Sequence, residues 1–151
     1  MTQRAYFFDL DGTLANLDHR LHHITGEVKD WRAFFANVFG DEPIGPIVTL
    51  LNSLATNGDP CVILSGRSDE CREQTMMWLE RHIATWNIWE NPIYMRKEGD
   101  HRPDHEIKKE LLAQAQRDGF EPILFIDDRK QVVDMWRGLG YVCLQCAPGD
   151  F

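Results

Sequence analysis

Long apolar runs are missing from this 151-residue chain, and so is any excess of basic residues. No apolar stretch approaches the roughly 20 residues a membrane-spanning helix needs, which excludes a helical membrane span. Lys and Arg number 16 against 24 Asp and Glu, a net charge of −8. That balance argues against a broad groove tracking a nucleic-acid backbone, because such grooves are basic, but it leaves a small or terminal phosphate acceptable as substrate. The pattern Gly-x-x-x-x-Gly-Lys-Ser/Thr is absent, so no kinase domain of the P-loop type is expected in these residues. The four cysteines, Cys61, Cys71, Cys143 and Cys146, include one Cys-x-x-Cys with no second pair, so buried free thiols are expected rather than zinc or disulfides. Met1-Thr-Gln-Arg leads straight into an apolar strand with no secretory apolar region, which predicts a cytoplasmic setting. What remains, 43% hydrophobic and 26% charged residues, suits one globular domain over 1–151.

The organising stretch is Tyr6-Phe-Phe-Asp9-Leu-Asp11-Gly12-Thr13-Leu14. An apolar strand ends in two carboxylates at i and i+2, which a continuing strand would put on one side, and Gly12 then lets the chain turn. Open parallel sheets place their ligands at such carboxyl tips. Two like charges near 4 Å repel by about 4 kcal/mol at an effective dielectric of 20, so both stay ionised only beside a metal or basic groups. A hard oxygen-seeking ion such as Mg²⁺ fits two carboxylates best. Pro122-Ile-Leu-Phe-Ile-Asp127-Asp128 repeats the pattern, and Val62-Ile-Leu-Ser65-Gly66-Arg67 is a strand delivering a hydroxyl. Lys108 lies near the start of a helical segment, four residues after Asp104 and on the same helix face.

Strands are predicted at 4–8, 60–64, 93–95 and about 122–126, with a last one at 141–145. Between them, Asp30 caps a short helix carrying Trp31, Phe34, Phe35 and Val38, an aromatic stripe read as core or a small cap over the site, with base stacking as the minor alternative. Helices follow at 43–57, from Ser68 or Asp69 to 83, from Asp104 to Gly119, and at 130–139 with Val133, Trp136 and Leu139 inward. His19, His22 and His23 have helical spacing without a third fixed ligand group and are read as loop histidines. Segment 96–103 is polar and turn-rich, hence an exposed loop. Alternating strands and helices imply an α/β fold: a three-layer Rossmann-like sandwich around a parallel sheet of about five strands, with a small cap-like insertion at 15–45 after the first strand.

Asp9-Leu-Asp11-Gly-Thr13, Ser65-Gly66-Arg67, Lys108 and Asp127-Asp128 resemble the four motifs of the haloacid-dehalogenase-like (HAD) phosphohydrolases, in order and across nearly the whole chain. Arg20, Arg102-x-Asp104 with Lys108, the run from Ile126 to Trp136 and the segment Gly149-Asp-Phe151 bring the likeness closer to the phosphatase domains of T-even phage-type polynucleotide kinase/phosphatases. The resemblance implies a Mg²⁺-dependent phosphomonoesterase working through an aspartyl-phosphate on a phosphorylated nucleic-acid end or nucleotide, in the host cytoplasm if phage-encoded, with a separate kinase or ligase as possible company. It implies Asp9 as nucleophile and Asp11 as general acid and base. Lys108 would neutralise phosphate, Ser65, Gly66, Arg67 and Arg20 would bind it, and Asp104, Thr13 and Arg102 would support. Metal ligation would fall to Asp9, Asp127, Asp128 and the Asp11 carbonyl. A nucleotidase or general small-phosphate hydrolase is the alternative within the same chemistry. A receiver-like signalling domain is the alternative outside it, disfavoured because Asp-x-Asp-Gly-Thr opens the chain and the middle strand offers Ser65.

Overall fold

Gln3–Phe8 forms the first strand, β1, and every later element is placed relative to it. The computed structural model describes residues 1–86 and 92–151. After β1 comes an insertion of short pieces: β2 (Ala15–Asn16), a 3-10 turn at Asp18–His23, α1 (Trp31–Ala36), a 3-10 turn at Val38–Gly40, and β3 (Glu42–Pro43), which pairs antiparallel with β2. The chain then alternates through α2 (Gly45–Thr56), β4 (Cys61–Ser68), a 3-10 turn at Asp69–Cys71, α3 (Arg72–His82) and β5 (Ile93–Arg96). It ends with α4 (Asp104–Arg117), β6 (Phe120–Asp127), α5 (Lys130–Gly138) and β7 (Cys143–Gln145).

The main sheet has the order β5-β4-β1-β6-β7, all parallel. Period-2 alternation sorts its side chains into two cores. Phe8, Ile63 and Ile126 join Val48, Leu51 and Ala55 of α2 and Trp78 and Leu79 of α3 on one face. Phe7, Val62, Leu64 and Phe125 join Ile107, Leu111 and Ala115 of α4 and Val132, Val133 and Trp136 of α5 on the other. Each Val, Leu, Ile or Phe among them, removed from water, contributes about 1.5–3 kcal/mol before the entropy of ordering it. Three layers result. Strand succession runs outward from β1 to β4 and β5, then returns to β6 on the other side of β1. The crevice between β1 and β6 is thus the topological switch point, where open α/β sheets hold their ligands.

Three sequence expectations shift. The second predicted strand runs on through Ser68, because Ser68 pairs with Arg96 beyond a register shift. The helix from Asp30 stops at Ala36 and resumes as a 3-10 turn, although Asp30 caps it as expected by accepting from Ala33 N at 2.9 Å. Leu139 lies past the end of α5 and is exposed, and Val132 takes the inward place assigned to it. All four cysteines are free, and Cys143 and Cys146 pack on opposite faces of the sheet.

Candidate active site

The site is built from strand ends. In β1 and β6, Phe8 stands beside Ile126, and Asp9 N donates to Ile126 O at 2.9 Å, so the residues that follow, Asp9 and Asp127, leave the sheet side by side. Odd-numbered residues of both strands face α4, and from that helix Lys108 reaches in. Its Nζ donates to Asp9 Oδ1 at 2.8 Å and Asp127 Oδ2 at 2.6 Å, and lies 3.7 Å from Asp104 Oδ2. All of Asp9, Lys108, Asp127 and Asp128 are buried.

After Asp9 the chain turns at once. Leu14 N and Ala15 N both donate to Leu10 O, each at 2.9 Å, and Gly12 has φ +83°. Gly12 is required twice over: a Cβ there would be strained in the left-handed region and would stand 2.2 Å from Asp128 Oδ2. Thr13, fully buried, donates to Asp9 Oδ2 at 3.2 Å and so fixes both the turn and the carboxylate. At the far end of the chain Gly149 lets its backbone lie against Asp128, since a Cβ would meet Asp128 O at 2.1 Å.

Asp9, Asp127 and Asp128 each offer a carboxylate oxygen within 4.8 Å of the others. Burial pushes the Asp9 carboxyl well above the usual carboxylate range, Asp127 adds to that, and the Lys108 ammonium opposes both. Asp128 is raised too, chiefly by burial. Burial alone would weaken the Lys108 ammonium, but Asp127 and Asp9 outweigh it and hold its pKa well above the ordinary value. Three carboxylates against one ammonium leave two negative charges, the charge a divalent ion would cancel. An all-oxygen donor set suits a hard ion. The residues present therefore fit a divalent metal.

Asp11 points elsewhere. Its carboxylate, 24% exposed, accepts from Arg20 Nη2 at 2.9 Å and from both Nε and Nη2 of Arg67. Burial would raise Asp11, but Arg67 and Arg20 win and hold it below the usual range. Behind the two arginines sits Asp41, with no exposed side-chain surface. It accepts from Arg20 Nε at 2.7 Å, Arg20 Nη2 at 2.9 Å and Arg67 Nη2 at 3.1 Å, and its Oδ1 lies 2.7 Å from His19 Nε2. Thr75 accepts from Arg67 Nη1 at 3.0 Å. Sequence reasoning passed over Asp41, because a single acid between Gly40 and Glu42 carries no periodic or motif signal.

Ser65 and Arg67 line the cleft, with Ser65 Oγ accepting from Arg67 N at 3.1 Å. Gly66 makes room for Asp104: a Cβ would stand 1.8 Å from Asp104 Oδ1. Asp104 also faces Arg96 Nη2 at 3.4 Å and Arg129 Nη1 at 3.8 Å, so it does gather basic groups. Two expected roles take a different form. Arg20, expected on substrate phosphate, is wholly buried behind Asp11 and is not among the described residues that line the cleft. Arg102 lines the cleft mouth but is tied to Asp100 and Glu110 on the surface. Arg96 lines the cleft too and ties its loop to β4, donating to Gly66 O, Asp100 O and Arg102 O. His19, His22 and His23 belong to no metal cluster among the described residues. The cleft itself measures about 1100 Å³ and is walled on one side by apolar and aromatic residues of the insertion, among them Leu21, Ile24, Trp31, Phe34 and Phe35.

A doubly wound parallel sheet with Asp-x-Asp at its central strand tip, a buried lysine and a second acidic pair defines a phosphatase of the HAD class. Residues 3–151 match the model of the family described as the polynucleotide kinase PNKP phosphatase domain, and the chain belongs to that family. Among similar proteins is one of Autographa californica nuclear polyhedrosis virus, named as a bifunctional polynucleotide kinase/RNA ligase, 31% identical over 90% of this chain and 18% of that protein. A solved structure of the Pnkp1/Rnl/Hen1 RNA repair complex contains a chain 32% identical, with a TM-score of 0.77, covering 99% of this chain and 44% of that one. The class C acid phosphatase of Bacillus anthracis, 18% identical with a TM-score of 0.65 over 99% of this chain and 69% of that one, shares the fold. The chain thus spans less than half the length of the first two relatives. Family membership implies a divalent metal, and the acidic cluster is in place for one. Among the described residues no helix is long and apolar enough to cross a membrane.

Proposed function

We propose that the protein is a Mg²⁺-dependent polynucleotide 3′-phosphatase that works through an aspartyl-phosphate. The single observation that carries this reading is the Asp9–Lys108–Asp127 cluster at the switch point, with Asp128 completing an oxygen cradle of two net negative charges. Asp9, Asp127, Asp128 and the Asp11 carbonyl would hold Mg²⁺, which when bound would neutralise charge on the phosphoryl oxygens and on Asp9.

Asp9 attacks phosphorus through a carboxylate oxygen, the ester P–O bond breaks, and the leaving alkoxide takes a proton from Asp11. Water then gives a proton to Asp11 and attacks the acyl phosphate, the bond from phosphorus to Asp9 breaks, and phosphate leaves. Lys108 holds Asp9 in one orientation throughout and offsets the repulsion between two anions. Asp11 must be protonated to act first as an acid, yet in the resting site two guanidiniums keep it ionised. An arriving phosphate competes for the same Arg67 forks, with Ser65 and the Gly66 backbone beside it. As Arg67 turns to the phosphate, Asp11 loses the larger of the two contacts that lower its pKa, which shifts it towards the protonated form an acid needs. Arg20 stays with Asp41 and Asp11, so its part is to position the acid.

A nucleic-acid end is supported by the family and by the names of its relatives, and four free thiols suit the reducing cytoplasm. A separate kinase or ligase acting beside it belongs to the same reading. The test is turnover of a 3′-phosphorylated oligonucleotide with and without EDTA, by wild type and Asp9→Asn. Metal-dependent release of phosphate by wild type and none by a folded Asp9→Asn is expected. Equal rates on mononucleotides and oligonucleotides would point to the nucleotidase alternative, and retained turnover in Asp9→Asn would remove Asp9 as nucleophile.

A further inference from the structure

The insertion leaves two large aromatic side chains exposed, Trp31 and Phe39, and of the two only Trp31 is among the described residues lining the cleft that holds Asp9 and Asp11. Phe34, one turn later on α1, also lines that cleft but is 5% exposed, whereas Trp31 is 46% exposed. Trp31 is nonetheless held: it meets Phe34 edge-on at 5.7 Å and stacks on Phe35 at 6.0 Å with 25° between the planes. Phe34 in turn lies under the Arg20 guanidinium at 4.2 Å, and Arg20 grips Asp11 at 2.9 Å. A rigid relay of short contacts therefore fixes the outermost ring relative to the acid that meets the leaving group.

Stability does not explain why an indole should be presented there. Its exposed area stays in water, and the core under the insertion is closed by Leu14, Ala15 and Val38 with the partly buried Phe35. A nucleic-acid ligand does explain it. A net charge of −8 disfavours a broad backbone-tracking groove, so apolar contact is the main source of affinity left beyond the reacting phosphate. Bases stack on aromatic rings without regard to sequence, because every base has a π-face. We propose that Trp31 is the platform on which the base of the phosphate-bearing terminal nucleotide stacks, a specificity subsite that rests on the 3′-phosphatase reading. Lys29, whose Nζ lies over the indole at 5.9 Å from its centroid, would give up that face to the incoming base and take the next phosphate of the strand.

Two oligonucleotides test this, one ending in an ordinary 3′-phosphorylated nucleotide and one whose 3′-phosphorylated residue is abasic. The readout is the ratio of their kcat/KM values for wild type, Trp31→Ala and Trp31→Phe, with thermal melts to verify folding. Wild type is expected to favour the base-bearing end by about tenfold or more, Trp31→Ala to lose that preference, and Trp31→Phe to keep most of it. A wild-type ratio near one, or a ratio unchanged in Trp31→Ala, overturns the proposal. If wild type hydrolyses neither end, the 3′-phosphatase reading fails. Anisotropy of the same two labelled oligonucleotides then decides the subsite, and equal affinities for wild type would overturn it.

Discussion

Asp41 holds Arg20 in a two-pronged ion pair, Nε and Nη2 at 2.7 and 2.9 Å, with both side chains wholly out of solvent. The pair lies behind the proposed acid, Asp11, and joins the insertion to the sheet.

Removing one member of a buried ion pair costs more than the pair contributes, because an uncompensated charge stays behind. Asp41→Ala strands Arg20 and loosens Arg67. It is expected to lower the unfolding free energy by about 3–5 kcal/mol, read from urea denaturation. A loss under 1 kcal/mol would mean that the guanidiniums find other partners.

Asp11 carries a pH signature of definite sign. Its folded pKa lies below the unfolded one, so the stabilisation from its arginine contacts is present above the ordinary carboxylate pKa of about 3.9 and is lost as pH falls through the folded value. The stability gap between wild type and Asp11→Asn should therefore be full at pH 6 and shrink below pH 4. A gap that widens on acidification would contradict the ion pairs.

Metal binding should be visible without turnover. Mg²⁺ at about 100 times its Kd stabilises the folded chain by about 2.7 kcal/mol, roughly 5–10 °C in Tm for a protein of this size. Asp127→Asn and Asp128→Asn are each expected to abolish most of that shift in calorimetry. A full shift in both variants would place the ion elsewhere.

Burial pushes the Cys61 and Cys143 thiols up to about 12, and Cys71 is raised as well. At pH 8 these three stay protonated and shielded, so a thiol reagent should label at most the partly exposed Cys146 quickly, and all four cysteines in denaturant. Rapid labelling of three or more in the native protein would show that the two cores open readily.

Much of this molecule was legible from residue order. Asp9, Ser65 and Asp127 each sit where an apolar run ends, Lys108 lies one turn into a helical segment, and the inward sets of α2, α3 and α4 follow from their spacing. Leu139 was misplaced because the helical period was carried one residue past the end of α5. The length of β4 was misjudged because its last pairing, Ser68 with Arg96, is made with a distant strand.

What the sequence by itself determined is the parallel α/β fold, the two acidic strand tips and the lysine between them, since alternation, helical period and turn residues act over a few neighbours. Only the tertiary structure decided that Asp41 is the hub, that Arg20 is shut behind Asp11, and that of the cleft-lining aromatics Trp31 stays exposed while Phe34 is buried. Those outcomes depend on which groups lose their water when segments 20 or more residues apart come together, and burial of that kind leaves no trace in local spacing.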